Sequence, residues 1–146
     1  MKISFSVDTP DMNLAKKEII KRQKEVLYRS MIKMQEIAIK LAPVDIGDLR
    51  AGIKLFPELP GSTDYVLADG VEYGIDLEFG TTPHYVPIEP LKEWAKRKTG
   101  DEDFGYYVQK KIAEKGINAQ PFFRPAFMQV TKIYYPNIAK SVFSRP

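Results

Sequence analysis

"EVLYRSMIKMQEIAIKLAP", residues 25–43, belongs to the segment that decides the fold. No glycine or proline interrupts the chain between Pro10 and Pro43, and apolar residues recur there at spacings of three, four and seven. They form one stripe of Ile20, Leu27, Met31, Met34, Ala38 and Leu41. Such a stripe predicts an amphipathic helix over residues 10–41, with Thr9 as its N-cap and Pro43 as its stop. At 1.5 Å per residue this helix is about 45 Å long, which exceeds what a small core needs.

Short segments with apolar residues at every second position flank this helix. "KISFSV", residues 2–7, predicts a strand before it. A sheet core is predicted over residues 53–79 after it. Its strands are expected within residues 51–59, where Ile53 and Leu55 share one side, and at residues 65–68 and 71–79. The dipeptide Asp69-Gly70 predicts a hairpin turn between the last two strands, because both of its positions tolerate positive φ.

The second half of the chain is predicted to be mainly helical. A proline-rich loop over residues 80–90 leads into a helical insert over residues 90–116, in which Gly100 and Gly116 end two short helices. Tyr107 is expected to face inward in the second of these helices. The C-terminal arm and helix cover residues 117–146.

Two details of the last helix follow from its sequence. Phe127 and Val130 are expected on its inner face, and Pro136 is expected to kink it or split it in two. The fold class is therefore α+β: a long N-terminal helix packed on a small, mostly antiparallel sheet, with short helices after the sheet and a C-terminal helix. All 146 residues are predicted to form one domain.

Composition excludes several classes of protein. A 44% hydrophobic content supports a packed core, and no cysteine is present, which excludes disulfides and thiolate chemistry. The formal charge of +3 is too small to indicate a dedicated DNA-binding domain. No signal peptide and no membrane span are predicted, so the protein is expected to be made in the cytoplasm.

The sequence contains few groups that favour catalysis. The single histidine, His84, lies between a proline and a tyrosine with no nucleophile motif nearby, so an exposed loop residue is the expected role. Asp45 is expected to form an Asx-type turn before Gly47, and Asp48 to cap the following turn. An ion pair between Arg50 and a glutamate such as Glu78 stays open. We therefore predict no cofactor, no metal and no enzymatic activity.

Basic residues dominate the outer face of the long helix. Lys17, Lys21 and Arg22 form a candidate basic surface near its start. A solvated helix face is the simpler interpretation, and a surface that approaches nucleic acid is the alternative.

Three stretches in order resemble a known family. They are "LAPVDIGDLRAGI" (residues 41–53), "VEYGIDLEFGTTPH" (residues 71–84) and "INAQPFFRPAF" (residues 117–127). The chain resembles the neck and tail-completion family of tailed bacteriophages, whose members show patterns like "APVDTG-LR-SI", "Y--YVEFGT" and "QPFLRPA" after a long basic helix. The likeness covers residues 12–140. Ile46 stands where threonine is usual, and this leaves the expected scaffold intact.

The resemblance implies a structural virion protein at the neck or top of the tail. Such a subunit forms a homo-oligomeric ring, for which sixfold symmetry is expected because phage tails are hexameric. Its neighbours would be other head–tail connector, tail terminator or tail tube proteins, with non-specific contact to packaged DNA. Two alternatives stay open: a nucleic-acid-binding accessory protein that uses the basic helix, and a carboxylate-metal hydrolase centred on Asp45, Asp48 and Glu78.

Candidate subunit-interface residues come from the three stretches and from the proline-rich loop. A connector subunit is expected to contact its neighbours through exposed loops and aromatic side chains, and the candidates are chosen because they lie in such loops or have such side chains. The candidates are Arg50, Phe79, His84, Tyr85, Phe122, Phe123 and Arg124.

Overall fold

The computed structural model of the protein describes residues 12–57 and 65–145. The predicted strand over residues 2–7 and the predicted cap Thr9 lie outside these residues. The described part is mostly helical with one small sheet, which confirms the α+β class. Its helices and strands are, in chain order, α1 (Met12–Leu41), α2 (Asp48–Gly52), β1 (Lys54–Pro57), β2 (Tyr65–Ala68), α3 (Gly74–Phe79), α4 (Ile88–Thr99) and α5 (Phe104–Lys115), followed by the C-terminal helix over residues 123–143.

The long helix α1 and the C-terminal helix form the frame of the molecule. They run antiparallel, since Arg22 near the start of α1 contacts Arg145 while Lys33 lies over the ring of Tyr134, 5.0 Å from its centroid. Further along α1, the contact reaches the first turn of the C-terminal helix, where the core lies. The core consists of Ile37, Ala38, Ala42, Leu49, Ile53, Phe122, Ala126 and Val130. Three alanines on the facing helices let the two backbones approach closely, and Phe122 fills the remaining space.

The predicted apolar stripe of α1 is buried only in its second half. Of its six residues, Ala38 is buried, Leu27, Met31 and Met34 are partly buried, and Ile20 and Leu41 at the two ends are exposed; Val26 and Ile37 beside the stripe are buried as well. Pro43 follows the last turn as predicted, and α1 ends at Leu41.

The sheet is smaller than predicted. Strands β1 and β2 pair antiparallel in the register Lys54↔Ala68, and both contact α1. The predicted third strand over residues 71–79 is wrong, because this segment contains α3. The buried residues Gly74 and Glu78 are four apart, which is helical spacing. Gly70 has the positive φ that the sequence predicts, but it ends β2 and leads towards α3 instead of turning a hairpin.

The helical insert agrees with its prediction in outline. α4 and α5 pack mainly on each other, and their C-caps Gly100 and Gly116 have positive φ. Tyr107 is more than half exposed, so its predicted inward orientation is wrong. Its ring instead stacks on Phe104 along the outside of α5.

The C-terminal helix continues through its proline. α-Helical turns over Phe123–Gln129 and Tyr135–Phe143 are joined by a π-helical turn over Val130–Tyr134, where the N–H of Tyr135 bonds to the carbonyl of Val130. Pro136 lacks an N–H and its ring would clash with the carbonyl four residues earlier, and a π turn just before a proline relieves both problems. The predicted split at Pro136 is therefore wrong. The inward orientation predicted for Phe127 is also wrong, because half of this residue is exposed.

Candidate assembly surface and its supporting framework

Arg50 holds the C-terminal end of α1. Its Nε donates to the carbonyl of Ala42 at 2.9 Å, and its Nη2 lies 3.4 Å from the carbonyl of Lys40. The last carbonyls of a helix have no partner within the helix, so the guanidinium satisfies groups that α1 leaves open. Leu49, one residue earlier, is buried and anchors α2 in the core. Arg50 is thus occupied within its own chain, although the residue as a whole stays exposed.

The two aspartates beside Arg50 differ from their predicted roles. The carboxylate of Asp45 accepts a hydrogen bond from Arg97 at 2.5 Å and lies 3.6 Å from the ammonium of Lys98, which ties the helical insert to the end of α1. The bond from Arg97 lowers the pKa of Asp45. Asp48 is the first residue of α2, where Gly47 is the N-cap, so its predicted capping role is wrong.

Glu78 binds the N-terminus of the C-terminal helix. Its side chain is buried, and Oε2 accepts hydrogen bonds from the backbone N–H groups of Phe122 at 2.7 Å and Phe123 at 2.9 Å. Oε1 accepts a third bond from the N–H of Arg124 at 2.8 Å. These groups lie at the N-terminus of the C-terminal helix, where unpaired donors and the helix dipole favour a negative charge.

This arrangement gives Glu78 a partner other than Arg50. The carboxylate satisfies backbone donors of one helix, while the guanidinium of Arg50 satisfies backbone acceptors of another. The ion pair considered for these two residues is therefore not formed. Sequence reasoning missed the capping role of Glu78. The available signal was that "QPFFRPA" begins a helix without a Ser, Thr, Asp or Asn at its start, so the cap had to come from elsewhere in the chain.

Backbone contacts join the second and third family-like stretches. The N–H of Thr81 donates to the carbonyl of Ile117 at 2.9 Å, and the N–H of Ile117 donates to Oγ1 of Thr81 at 3.0 Å. The two segments touch at Gly80 and Gly116, which both have positive φ. A Cβ at either glycine would collide with the backbone of the opposite segment. Glycine is required at these two positions for that reason.

The structure separates the candidate interface residues into three groups. Phe122 is completely buried in the core and offers no surface, so its assignment to an interface is corrected. His84 is half-buried, with Nδ1 2.8 Å from the carbonyl of Thr82, so its predicted exposure in a loop is only partial. The remaining candidates stay accessible to different degrees: Tyr85 and Phe79 are strongly exposed, Phe123 is partly buried, and Arg50 and Arg124 are exposed.

Phe79 and Arg124 form one exposed pair. The guanidinium of Arg124 lies over the ring of Phe79, 5.4 Å from its centroid. A cation above an aromatic face is attracted to it, and the contact orders both side chains at the surface. Since Glu78 and the backbone of Arg124 lie directly beneath, the framework fixes the position of this pair.

The predicted basic surface is only partly free. Lys17 and Lys21 are exposed. Arg22 instead pairs with Glu18 at 3.0 Å and donates to the carbonyl of Arg145 at 2.9 Å. Arg22 thereby attaches the end of the chain to α1, and the free positive charge lies further towards the start of the helix.

The first turns of α1 carry the clearest exposed apolar surface. All residues from 13 to 21, here called the α1 overhang, are exposed. They extend beyond Arg22, which contacts the last described residue of the C-terminal side. Leu14 is 66% and Ile19 is 50% exposed within this overhang. Single exposed apolar residues are common, but several on a helix that extends beyond its described partner make the α1 overhang a candidate surface for association.

The described residues contain neither a cluster of metal-binding side chains nor a helix that could span a membrane. Residues 12–57 and 65–145 contain no group of three or more acidic or histidine side chains placed to hold a metal ion. Asp45, Asp48 and Glu78 are thus not assembled into one centre. None of the helices described here combines the length and the hydropathy that a membrane span requires.

Comparison with known proteins gave no match. No protein-family model, no curated protein and no solved structure is similar to this chain at a significant level. The resemblance to the phage neck and tail-completion family therefore stays a proposal that rests on the three sequence stretches.

Proposed function

We propose that this chain is a structural virion protein of a tailed phage: a ring-forming neck or tail-completion subunit at the head–tail junction, without catalytic activity. Its partners are copies of itself, six being the expected number, and the connector, tail terminator or tail tube proteins above and below. The assignment to this family comes from the sequence resemblance. The structural features below support it.

The three family-like stretches form one connected framework. Arg50 of the first stretch caps α1, Glu78 of the second caps the C-terminal helix, and the N-terminus of that helix belongs to the third. The charged side chains in these stretches are therefore used for architecture. That use suits a family defined by a shared scaffold, and it accounts for charged residues that would otherwise suggest an acid–base site.

The structural observation that best supports assembly into a ring is the α1 overhang. Its apolar side chains are not covered by the described part of the same chain. Covering them by another subunit would gain about 25 cal/mol for each Å² of apolar surface removed from water. A projecting helix with exposed apolar side chains on every subunit could join neighbours in a ring in a head-to-tail manner.

A pair of matched double variants tests this proposal. Leu14→Gln/Ile19→Gln removes the two most exposed large apolar side chains of the overhang, whereas Lys16→Gln/Lys17→Gln places the same residue type on the same turns and removes only charge. Size-exclusion chromatography with light scattering, over a range of concentrations, should show assembly of the wild type and of the lysine variant. The apolar variant should stay monomeric. Equal assembly by both variants would contradict a role for the overhang.

One observation favours the nucleic-acid alternative. Lys16, Lys17 and Lys24 lie in the first turns of α1 and take part in none of the ion pairs formed among the described residues, while Lys21 acts on Glu18 through its charge. Contact with packaged DNA inside a ring predicts weak binding that falls steeply with salt and that the lysine variant reduces. Tight, sequence-specific binding by a monomer would favour the accessory-protein function instead. The order of the neighbouring genes is an independent test, since capsid and major tail genes are expected on either side.

A further inference from the structure

Charge is distributed unevenly along the chain. Residues 16–24 of α1 include five lysine and arginine residues and one glutamate. Between Lys54 and Lys92 the sequence contains seven acidic residues and no lysine or arginine. The formal charge of the whole chain is only +3, so a strongly basic segment and a strongly acidic one offset each other.

The acidic surface lies where α2 meets the start of α3. The hydroxyl of Tyr73 is hydrogen-bonded to the backbone of Leu49, which holds the start of α3 against α2. Partial burial raises the pKa of Tyr73, and the negative charges of Asp48, Asp45 and Asp69 raise it further, because these carboxylates lie near its hydroxyl. Carboxylates from both sides of this contact are thus gathered around one tyrosine.

We call the exposed part of this surface the α2–α3 face. It consists of Ile46, Asp48, Glu72, Tyr73, Ile75 and Asp76, all of which are exposed. Ile46 is 62% and Ile75 is 71% exposed, so the face combines apolar side chains with carboxylates. Its three carboxylates take part in none of the ion pairs formed among the described residues. Their negative charge is therefore available to a partner.

One face of α1 has the complementary composition. Leu14, Lys17, Lys21 and Lys24 occur at spacings of three and four, so they lie on one side of the helix, and Ile20 lies beside them. All five residues are exposed. This basic face covers the α1 overhang and continues one turn beyond it. Like the α2–α3 face, it combines apolar side chains with charges, but its charges are positive.

The two faces are too far apart to meet within one chain. Gln35 of α1 donates to the carbonyl of Ile53 at 3.0 Å, and Arg50 binds the carbonyl of Ala42, so α2 lies beside the last two turns of α1. The overhang ends at residue 21, which is about 21 Å before Gln35 along the same uninterrupted helix. A contact between the overhang and the α2–α3 face therefore joins two copies.

We propose that the basic face of the α1 overhang of one copy of this chain binds the α2–α3 face of the next copy, with lysines against carboxylates and apolar side chains against apolar side chains. The inference rests on the proposed function, because it needs the chain to assemble with its own copies, and it names the two surfaces that meet. A contact between two different surfaces is heterologous, and it forms a ring when the rotation between neighbours closes.

Charge favours this contact over two others. Pairing of two overhangs would place lysines against lysines, and like charges in a contact oppose binding. The C-terminal helix also has exposed apolar residues, but its three basic residues are spread over residues 123–143, whereas α1 has five between residues 16 and 24. The overhang is therefore the better partner for a face of carboxylates.

Charge reversal followed by mixing tests this contact in the full-length chain. Lys17→Glu/Lys21→Glu makes the overhang acidic, and Glu72→Lys/Asp76→Lys makes the α2–α3 face basic. Each variant alone sets like charges against each other, so the concentration at which half of the chains are assembled should rise at least about tenfold. An equimolar mixture again pairs opposite charges and should return this concentration to within about threefold of the wild type. Unchanged assembly of the separate variants, or no recovery in the mixture, would overturn the proposal.

Control variants separate this effect from net charge and from misfolding. Glu89→Lys/Glu114→Lys makes the same change of charge on the exposed surface of the helical insert and should assemble like the wild type. Lys16→Gln/Lys17→Gln should assemble as well, because it removes one lysine of the basic face and places no like charge there. The charge-reversed monomers should keep the urea midpoint of the wild type. An insert variant that loses assembly as Glu72→Lys/Asp76→Lys does would overturn the assignment of the α2–α3 face.

Cysteine cross-linking tests which surfaces touch, and the chain has no native cysteine to interfere. Leu14→Cys chains mixed with Ile75→Cys chains should give a cross-linked dimer with a short bismaleimide. Leu14→Cys chains mixed with Tyr106→Cys chains should give none, because Tyr106 is exposed on the insert. A dimer formed by Leu14→Cys chains alone would show that overhangs pair with each other, and it would overturn the proposal.

Three outcomes separate this inference from the proposed function. A wild-type chain that assembles without a link between Leu14→Cys and Ile75→Cys would overturn this contact and leave the ring. Linked chains whose mass does not exceed a dimer would support the contact and contradict a ring. A wild-type chain that stays monomeric at every concentration, with no cross-link, would contradict both.

Discussion

The two halves of α1 show how one helix can serve both folding and assembly. From Val26 to Leu41 it packs against the C-terminal helix, contains all of the buried residues described in α1, and ends at the carbonyl groups that Arg50 caps. From residue 13 to 21 it has the same helical geometry but no buried residue. Within the described part of the chain, the first region has a packing partner and the second has none. Burial in the first region stabilises the protomer, and we expect burial in the second to depend on a neighbouring subunit.

The largest effect on the folded half should come from Phe122→Ala. Phe122 is fully buried between α1 and the C-terminal helix, and truncation of a buried phenylalanine leaves a cavity that the core fills only in part. We expect the free energy of unfolding to fall by about 4 kcal/mol, measured by urea denaturation of the monomer. Phe79→Ala is the control, because Phe79 is two-thirds exposed. Similar losses for the two variants would contradict the described core.

Glu78→Gln should have the next largest effect. The substitution keeps the size of the side chain but removes its charge and replaces one acceptor oxygen by a donor, so at least one backbone N–H of the C-terminal helix loses its partner. We expect a loss of about 2 kcal/mol in the free energy of unfolding. The control is Asp76→Asn, which removes a charge from the exposed side of α3, the helix that contains Glu78. Its free energy of unfolding should stay within about 0.5 kcal/mol of that of the wild type. An equal effect of both substitutions would remove the evidence for the cap.

A smaller effect is expected from acid. Hydrogen bonds from Lys33 and from Lys40, together with their charges, lower the pKa of Glu36 from its ordinary 4.5 to about 2. The folded pKa lies below the unfolded one, so the contribution of Glu36 to stability is complete above about pH 4.5 and is lost as the pH falls towards 2. Thermal unfolding of Glu36→Gln should therefore depend less on pH in this window than that of the wild type. An identical pH dependence of the two proteins would show that these exposed ion pairs contribute nothing.

The smallest effect on stability should come from the overhang. Leu14→Gln/Ile19→Gln changes residues that no described part of the protomer covers, so the monomer should keep its free energy of unfolding within about 0.5 kcal/mol. The measurement is urea denaturation at a concentration where the wild type is monomeric. A loss of 2 kcal/mol or more would show that the overhang is buried within its own chain, and it would remove the contrast between the two halves of α1.

Local patterns explain what the sequence predicts well. The long helix, the stop at Pro43, strand β1 and the two C-cap glycines each depend on residues close together in the chain. The errors occur where distant residues decide the structure. Residues 71–79 have strand-like composition, but a buried carboxylate at Glu78 makes sense only once the donors of residues 122–124 are near it. The π turn before Pro136 also depends on packing that no local pattern encodes. The same holds for the ion pair of Asp45 with Arg97 and for the hydrogen bond of Arg50 to the carbonyl of Ala42.

The sequence predicts the candidate interface residues less well than it predicts the fold. Exposure of Tyr85 and Phe79 agrees with the predicted interface, whereas Phe122, two residues from Arg124 and just before the C-terminal helix, is buried in the core. Which residues of a short aromatic stretch face a neighbour depends on the rotation of the helix about its axis. The overhang, in contrast, could be inferred from length alone, since α1 is longer than the core it covers.

Native mass spectrometry of the full-length chain tests the central claim most directly. The account predicts a discrete closed oligomer, with six copies as the expected number, that is retained in Lys16→Gln/Lys17→Gln and lost in Leu14→Gln/Ile19→Gln. A chain that is monomeric at every concentration, or an oligomer that both variants retain, would contradict it.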